Sequence, residues 1–444
     1  MNDRELIVKA LSCYKPGKTK TEALLNDLLG KCSDKPFVNN FCCGIIRSLP
    51  AIDIVIAKLS GAREKKTSPQ LWAVLRCGVF DIIYRPRQEI YAAVNEWVKL
   101  AGGKKQRGFA NAVLRTVIRA IECRSGESPL SSNFLPVSGS LGCIFKQDIF
   151  SSPENAPSEY LSQVYSLLEW LVSGWIKKFG LEKTLSVCRA SNRKPGLYLR
   201  PNKTLTTPEK LLEMLREDGA AAKRIGDIIA LEKAGRPVEK LPGYNEGLFC
   251  VQDITAFEAG LFVNPSPGQT ILDLCSAPGT KSSHLAELMQ GAGEVIATDI
   301  NPARLEKARE NKQRLRLENI TILEYEKAFE YAANRQIDAV LLDVPCSNSG
   351  VLSKRLDMRY RLTPEGIDKL NSQQYDIIKT VLRRLPAVKK LFYSTCSVEK
   401  SENYEILHKL LCELDRGEIR RAKLTLPSDV SFGRDGGYIA EFTL

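Results

Sequence analysis

Cys346 and Cys396 each close an apolar run, and each is followed by a serine. The runs are Val340-Leu341-Leu342-Asp343-Val344-Pro345-Cys346-Ser347 and Leu391-Phe392-Tyr393-Ser394-Thr395-Cys396-Ser397. A continuous apolar run bounded by turn residues reads as a strand buried on both faces of a parallel sheet. Ligands collect just beyond the carboxyl ends of such strands. The two thiols are therefore expected at one sheet edge, on different strands. One thiol can attack a carbon while the second serves a later step of the same cycle. Either cysteine alone could equally be a small residue that only packs, so the weight falls on what lies upstream.

Upstream, Gly268-Gln269-Thr270-Ile271-Leu272-Asp273-Leu274-Cys275-Ser276-Ala277-Pro278-Gly279-Thr280-Lys281 leads into a helical stretch and then Glu294-Val295-Ile296-Ala297-Thr298-Asp299. This is strand, tight loop, helix and strand, one βαβ unit. The loop is neither the G-x-G-x-x-G fingerprint nor a P-loop, which ends in G-K-S/T. Gly279 still lets backbone approach a ligand, and the following helix offers free N–H groups to a carboxylate or phosphate. Asp299 follows about 20 residues on, the spacing at which an acid takes ribose hydroxyls. A loop for an amino-acid moiety plus an acid for a ribose suits S-adenosylmethionine.

With these residues on the page, the chain resembles the Sun/Fmu group of RNA cytosine-5 methyltransferases. The resemblance rests on Leu272 to Lys281, on Asp343-Val344-Pro345-Cys346-Ser347 and on Ser394-Thr395-Cys396-Ser397. Further matches are Leu199-Arg200-Pro201-Asn202, Val251-Gln252-Asp253, Glu402-Asn403 and Asp435-Gly436-Gly437-Tyr438-Ile439-Ala440, spanning 164–444 in the expected order. The resemblance implies S-adenosylmethionine held by Cys275, Ser276, Ala277, Pro278, Gly279, Thr280, Lys281, Asp299, Glu326 and Asp343. It also implies Cys396 as nucleophile, Cys346 for product release, and Asp343 as a third catalytic group.

The elements that position these residues form a multidomain chain. Residues 1–125 carry apolar spacing of helical type, as in Leu6-Ile7-Ala10-Leu11 and Trp72-Leu75-Val79-Ile82-Ile83, with breaks at Arg85-Pro86-Arg87 and Gly102-Gly103. Tyr91 to Ala101 and Arg107 to Arg115 are similar to the NusB family, implying an all-α RNA-binding bundle. Residues 126–160, rich in Ser, Pro and Gly, read as a partly disordered linker. Residues 161–250 read as a helical connector, with Leu167, Trp170, Leu171, Trp175 and Ile176, and a small α+β subdomain. Residues 251–444 read as an α/β, Rossmann-like class I methyltransferase, doubly wound and closed by a hairpin ending in Tyr438–Phe442.

A formal net charge of +12 favours a polyanionic partner. Thirteen cysteines without a C-x-x-C pair argue against zinc or a redox dithiol, and the charged start Met1-Asn2-Asp3-Arg4-Glu5 argues against secretion. A reducing, cytoplasmic setting and a monomer are expected, with RNA as partner and no membrane or metal. The two histidines, His284 and His408, sit in helix-like stretches. The chemistry must therefore run on thiols, carboxylates and lysine.

Cytosine C5 is a weak nucleophile, and a thiolate adding to C6 pushes electron density onto it. Lys281 is the nearest plausible positive charge for that thiolate, or else a cofactor contact. Residue chemistry alone does not rank the thiols, and in DNA cytosine methyltransferases the Pro-Cys thiol attacks. Asp343 could hydrogen-bond the cytosine edge or the cofactor's methionine part. A target base must be unstacked, and Lys354, Arg355, Arg359 and Arg361, with Tyr360 among them, suit phosphate contact and stacking. Thr280, Glu326, Asn348 and Leu356 depart from the family pattern. The expected activity is cytosine-5 methylation of small-subunit (16S) rRNA. The rivals are the same chemistry on tRNA, a catalytically silent ribosome-assembly factor, and a small-molecule methyltransferase, which would have no use for a NusB-like domain.

Overall fold

The computed structural model describes residues 2–86, 89–126, 129–139, 141–233, 236–430 and 432–444. They fall into two compact units, Met1–Lys194 with Leu352–Leu362, and Pro195–Val351 with Thr363–Leu444. Arg87 of the expected proline break, and Glu127, Ser128 and Ser140 of the expected linker, lie outside the described residues.

The first unit is helical through Ala120. Helices Asp3–Cys13 and Pro69–Tyr84 carry the apolar spacing read from the sequence, and Leu6, Ile7, Leu11, Trp72, Leu75, Val79, Ile82 and Ile83 are all buried. Trp97 stacks on Phe41 at 4.9 Å and donates its indole N–H to Asp81 at 2.6 Å, so its polar edge is satisfied inside the core. Gly103 caps helix Lys104–Ala120, as the diglycine stop predicts.

The linker reading is corrected. Strands β1 (Ile121–Ser125), β2 (Phe134–Ser138) and β3 (Leu141–Phe145) make an antiparallel sheet in the order β1-β3-β2. Phe134, Leu135, Cys143 and Phe145 are buried in it. The strands are too short for alternation to show against a serine-rich background, and the order comes from tertiary packing. Gly142 is required there, because a Cβ would meet the Phe134 ring at 2.2 Å. Helices Pro157–Tyr165, Glu169–Phe179 and Leu181–Asn192 complete this unit. The helical connector thus belongs to this first unit.

Residues 352–362 also belong to this first unit, and two of its expected RNA-facing side chains turn inward. Arg359 is 1 % exposed and donates to the carbonyls of Arg47 and Ser191, each at 2.7 Å, and to Asn192 at 2.9 Å. Burial lowers its pKa to about 10. The Tyr360 hydroxyl donates to the Ile46 carbonyl. Backbone carbonyls have claimed the donors that phosphate contact would need. Lys354, Arg355 and Arg361 remain exposed.

The second unit contains two sheets. Strands β4 (Leu197–Pro201), β5 (Ala221–Ile225), β6 (Ile228–Lys233) and β7 (Phe249–Val251), in the order β5-β6-β4-β7, form the expected α+β subdomain with helix Pro208–Glu217. The larger sheet contains β8 (Thr270–Asp273), β9 (Glu294–Ala297), β10 (Ile320–Ile322), β11 (Ala339–Asp343), β12 (Lys390–Thr395), β13 (Glu418–Thr425) and β14 (Gly437–Thr443). Its order is β10-β9-β8-β11-β12-β14-β13, parallel through β12 and antiparallel at the last two pairings.

Apolar residues face both ways. Leu272, Ile296, Val340, Leu342, Leu391 and Tyr393 pack on one side, and Ile271, Val295, Leu341 and Phe392 on the other. Period-two alternation with both faces buried explains the unbroken apolar runs. The chain winds outward from β8 to β10, then restarts at β11 on β8's other side. The switch point between β8 and β11 opens the crevice where such sheets bind ligands.

Candidate active site

Two pairs of loops leave the carboxyl edge of the large sheet. The first pair follows β8 and β9. After Asp273 the chain turns through Cys275, Ser276, Ala277 and a cis Pro278 into Gly279, whose φ of 92° suits glycine. Helix Thr280–Leu288 begins there without a side-chain cap, so its first N–H groups face the crevice. A Cβ on Gly279 would also press Ala308 at 3.3 Å.

The helix is held from below by the Arg-Pro-Asn motif. Arg200, 2 % exposed, donates to the Thr280 carbonyl at 3.0 Å, to Ser283 at 2.9 Å, to both Glu287 oxygens at 2.7 and 3.1 Å, and to Gln252. The matched motifs at 199–202 and 251–253 therefore meet behind the loop. Asp253 caps helix Ile254–Val263 and accepts the Asp435 N–H at 3.1 Å, joining a third motif. His284 is buried, stacked on Phe257 at 4.8 Å, and burial holds its pKa well below the ordinary range.

Around this first loop pair, Asp273 Oδ1, Ser276 Oγ and Thr298 Oγ1 are buried without a hydrogen-bond partner among the described residues. Buried polar atoms are nearly always paired, so three orphans at one crevice mark a surface that a polar ligand completes. Burial lifts the Asp273 pKa to about 7. Asp299, 4 % exposed, accepts the Asn301 N–H at 2.9 Å and lies 3.3 Å from Arg304. Beside it Ile300 is 81 % exposed, an apolar surface that the sequence reading did not single out. An amino-acid moiety at the helix N-terminus, ribose hydroxyls at Asp299 and a flat base over Ile300 fit these groups.

Glu326 has a partner of its own. It lies in helix Tyr325–Ala333, largely exposed, and pairs with Arg384 at 2.7 Å. Its place in the first helical turn points it at that neighbouring cation.

The second loop pair follows β11 and β12, which run parallel with Asp343 opposite Ser394. Cys346 and Cys396 lie with their Sγ atoms 3.0 Å apart. Cys396 is half-buried and lines a pocket with Lys281, Ser394, Thr255 and Gly436, whereas Cys346 is only 8 % exposed. Asn348 joins the pair: its Oδ1 lies 3.2 Å from Cys396 Sγ and its Nδ2 donates to the Cys346 carbonyl at 2.9 Å. It occupies a left-handed conformation, φ 61°, which asparagine tolerates. The sequence marked Asn348 only as a departure from the family pattern.

Lys281 connects the two loop pairs through an ion pair with Asp343 at 2.6 Å. Burial opposes its charge, but the adjacent carboxylate outweighs that and raises its pKa; Cys396 also lies within reach of that charge. Cys346 is held well above the ordinary thiol range by its hydrogen bond with Cys396, then by burial and by repulsion from Cys396. Among the described residues no group of three or more His, Cys, Asp or Glu side chains could hold a metal ion, and no helix is long and apolar enough to cross a membrane.

A doubly wound sheet with a polar cofactor crevice beside a thiol pair defines a Rossmann-like methyltransferase. Residues 260–439 match the family "16S rRNA methyltransferase RsmB/F", residues 1–119 the NusB family, and residues 169–239 the RsmF/B-like ferredoxin-like domain. The chain is 30% identical over 386 residues to the "Probable ribosomal RNA small subunit methyltransferase B" of Synechocystis sp., covering 85% of this chain and 81% of that protein. It is 28% identical over 441 residues to "Ribosomal RNA small subunit methyltransferase B" of Proteus mirabilis, covering 97% and 96%. The fold matches the crystal structure of PH0851 at a TM-score of 0.71 and 20% identity, covering 100% of this chain and 99% of that one. It matches NSun6 from Pyrococcus horikoshii, solved with SFG, at 0.54 and 18%, covering 62% and 97%. The chain belongs to the RsmB/F family of S-adenosylmethionine-dependent rRNA methyltransferases.

Proposed function

We propose that the enzyme methylates C5 of a cytosine in small-subunit (16S) rRNA through a transient bond between Cys396 and C6. The carrying observation is the asymmetry of the thiol pair. Cys396 lines the pocket, and Cys346 is buried 3.0 Å away, kept protonated chiefly by its hydrogen bond with Cys396. The names of the relatives support the RNA class.

The S-adenosylmethionine cofactor supplies, when bound, an electrophilic methyl group. Ser276, Gly279, Thr280, Lys281 and Asp299 are the residues proposed to hold it, with Cys275, Ala277 and Pro278 shaping the loop and Asp343 positioning Lys281. Cys396 adds to C6 and makes C5 nucleophilic. Lys281 keeps a positive charge beside the sulfur that carries negative charge during attack, a fixed stabilisation in a half-buried site. Asp343, bound to Lys281, holds that ammonium in place and faces the same crevice.

Once Cys396 has become a thioether, the leading cause of the high Cys346 pKa is removed. Cys346 can then release its proton to solvent and, as thiolate, take the one on C5, while the electrons of that C–H bond expel Cys396 as thiolate. The order attacker first, base second is supported by Cys396 lining the pocket while Cys346 is buried behind it. The NusB-like part is proposed to bind rRNA by charge, so the affinity of the full chain for RNA should fall steeply with salt.

The test uses labelled cofactor, small-subunit rRNA and the two single variants. Cys346→Ala should accumulate a protein–RNA adduct that survives denaturing electrophoresis, and Cys396→Ala should form none. The reverse pattern would assign the roles the other way round. Bisulfite sequencing of the product locates the cytosine.

A further inference from the structure

Neither thiol is held by its own loop alone. Glu402, 0 % exposed, sits between the two loops and accepts from both. One carboxylate oxygen takes the Ser347 N–H at 2.8 Å and the Gln374 carboxamide at 3.1 Å. The other takes the Ser347 hydroxyl and the Ser397 hydroxyl, the latter at 2.5 Å. Ser347 follows Cys346, and Ser397 follows Cys396.

The same seam carries further bonds. Ser349 and Ser397 hydroxyls lie 3.1 Å apart, Ser349 accepts the Val398 N–H at 3.0 Å, and the Gly350 N–H donates to the Cys396 carbonyl at 3.0 Å. Gln374 reaches the Pro345 carbonyl at 2.8 Å and accepts from Tyr393 at 3.1 Å.

We propose that Glu402 is a positioning residue that sets the separation of the two thiols by tying the serine after each cysteine to one buried carboxylate. The proposal rests on the two-thiol reading above. Four donors converge on two oxygens, a demand that an all-acceptor carboxylate meets and a carboxamide does not. Glutamine would turn an N–H₂ group toward hydroxyls or an N–H and release one loop from the other. Aspartate keeps the charge but is one methylene shorter, so it cannot span both serines. Glu402 touches neither the cofactor loop nor the pocket, so it acts on the chemistry through the spacing of the sulfurs and through its charge, which helps raise the Cys346 pKa; Glu402→Asp keeps that charge and isolates the spacing.

The experiment compares Glu402→Gln and Glu402→Asp with the unaltered enzyme in three measurements. These are thermal melting, kcat and KM for S-adenosylmethionine on small-subunit rRNA, and the rate at which diamide closes a Cys346–Cys396 disulfide, followed by peptide mass spectrometry. A displacement of the order of an ångström costs roughly a hundredfold in rate. The expected result is a kcat lowered to about that extent in both variants, KM within about twofold, and markedly slower closure. Ser397→Ala, which removes one arm of the tie at little volume cost, decides the matter by the same readouts should neither Glu402 variant melt cooperatively. Folded variants that keep the original closure rate overturn the proposal, whether or not kcat falls. Turnover that survives Cys396→Ala sinks the covalent mechanism, whereas slow closure in Glu402→Gln upholds the tie independently of that result.

Discussion

The two loop pairs at one sheet edge solve opposite problems. The thiol loops after β11 and β12 are saturated from within: Ser347, Ser349, Ser397, Gln374 and Glu402 are mutually bonded and buried. The cofactor loops after β8 and β9 leave Asp273, Ser276 and Thr298 each with an unpartnered buried oxygen. A saturated network fixes geometry before any substrate arrives, as nucleophilic chemistry requires. An unsaturated one gains most when a polar ligand completes it, as binding requires. Lys281 and Asp343 stand between the two regimes.

The comparison can be broken most sharply at Cys396. Its replacement by alanine should remove methyl transfer by several orders of magnitude, while calorimetry should find cofactor affinity unchanged. Loss of cofactor binding in that variant would mean that the two regions are not separate.

Next in size is Arg200→Ala, which leaves Glu287 buried without its partner and the cofactor helix without its brace. Breaking a buried pair costs about 3–5 kcal/mol, and chemical denaturation should show that loss in the second unit. Little change would mean that the brace behind the loop is not structural.

Gly279→Val and Asp299→Ala should act on binding alone, the first through a forbidden φ and the contact with Ala308, the second through a lost charge-assisted bond. A loss of about 1.5–3 kcal/mol in cofactor affinity is expected for Asp299→Ala, read by titration calorimetry. The closure rate of the thiol pair should stay as it is in both variants.

The last effect is a pH slope. Burial raises the Asp273 pKa from 3.8 to about 7, so between those values the folded state holds a proton that the unfolded state has released. Stability should therefore fall as pH rises through that window, by about 1.4 kcal/mol per unit at most, and level off above it. Asp273→Asn removes the titrating group, and urea denaturation from pH 5 to 8 should show the slope flattened.

Much of this architecture was legible in the residues. Apolar runs ending in Asp273, Asp343 and Thr395 predicted the parallel strands, because strands buried on both faces leave an unbroken hydrophobic signature. The loop around Gly279 and the two Cys-Ser pairs predicted which chemistry gathers at the carboxyl edge. Helical spacing in residues 1–120 was equally plain. The signal failed where local pattern is weak. The sheet of β1 to β3 hides in serine-rich sequence, and its order comes from the burial of Phe134 and Phe145 rather than from alternation.

Charge misled the reading for a related reason. Arg359 looks like a phosphate ligand by type and position, yet it is claimed by backbone carbonyls. A sequence lists donors and acceptors without saying which find each other first. It determined the residue types of this site and the strand ends that carry them. Only the tertiary structure decided that the two sulfurs stand 3.0 Å apart and that Glu402 ties their loops together, because a distance between groups about 50 residues apart in the chain is a property of packing.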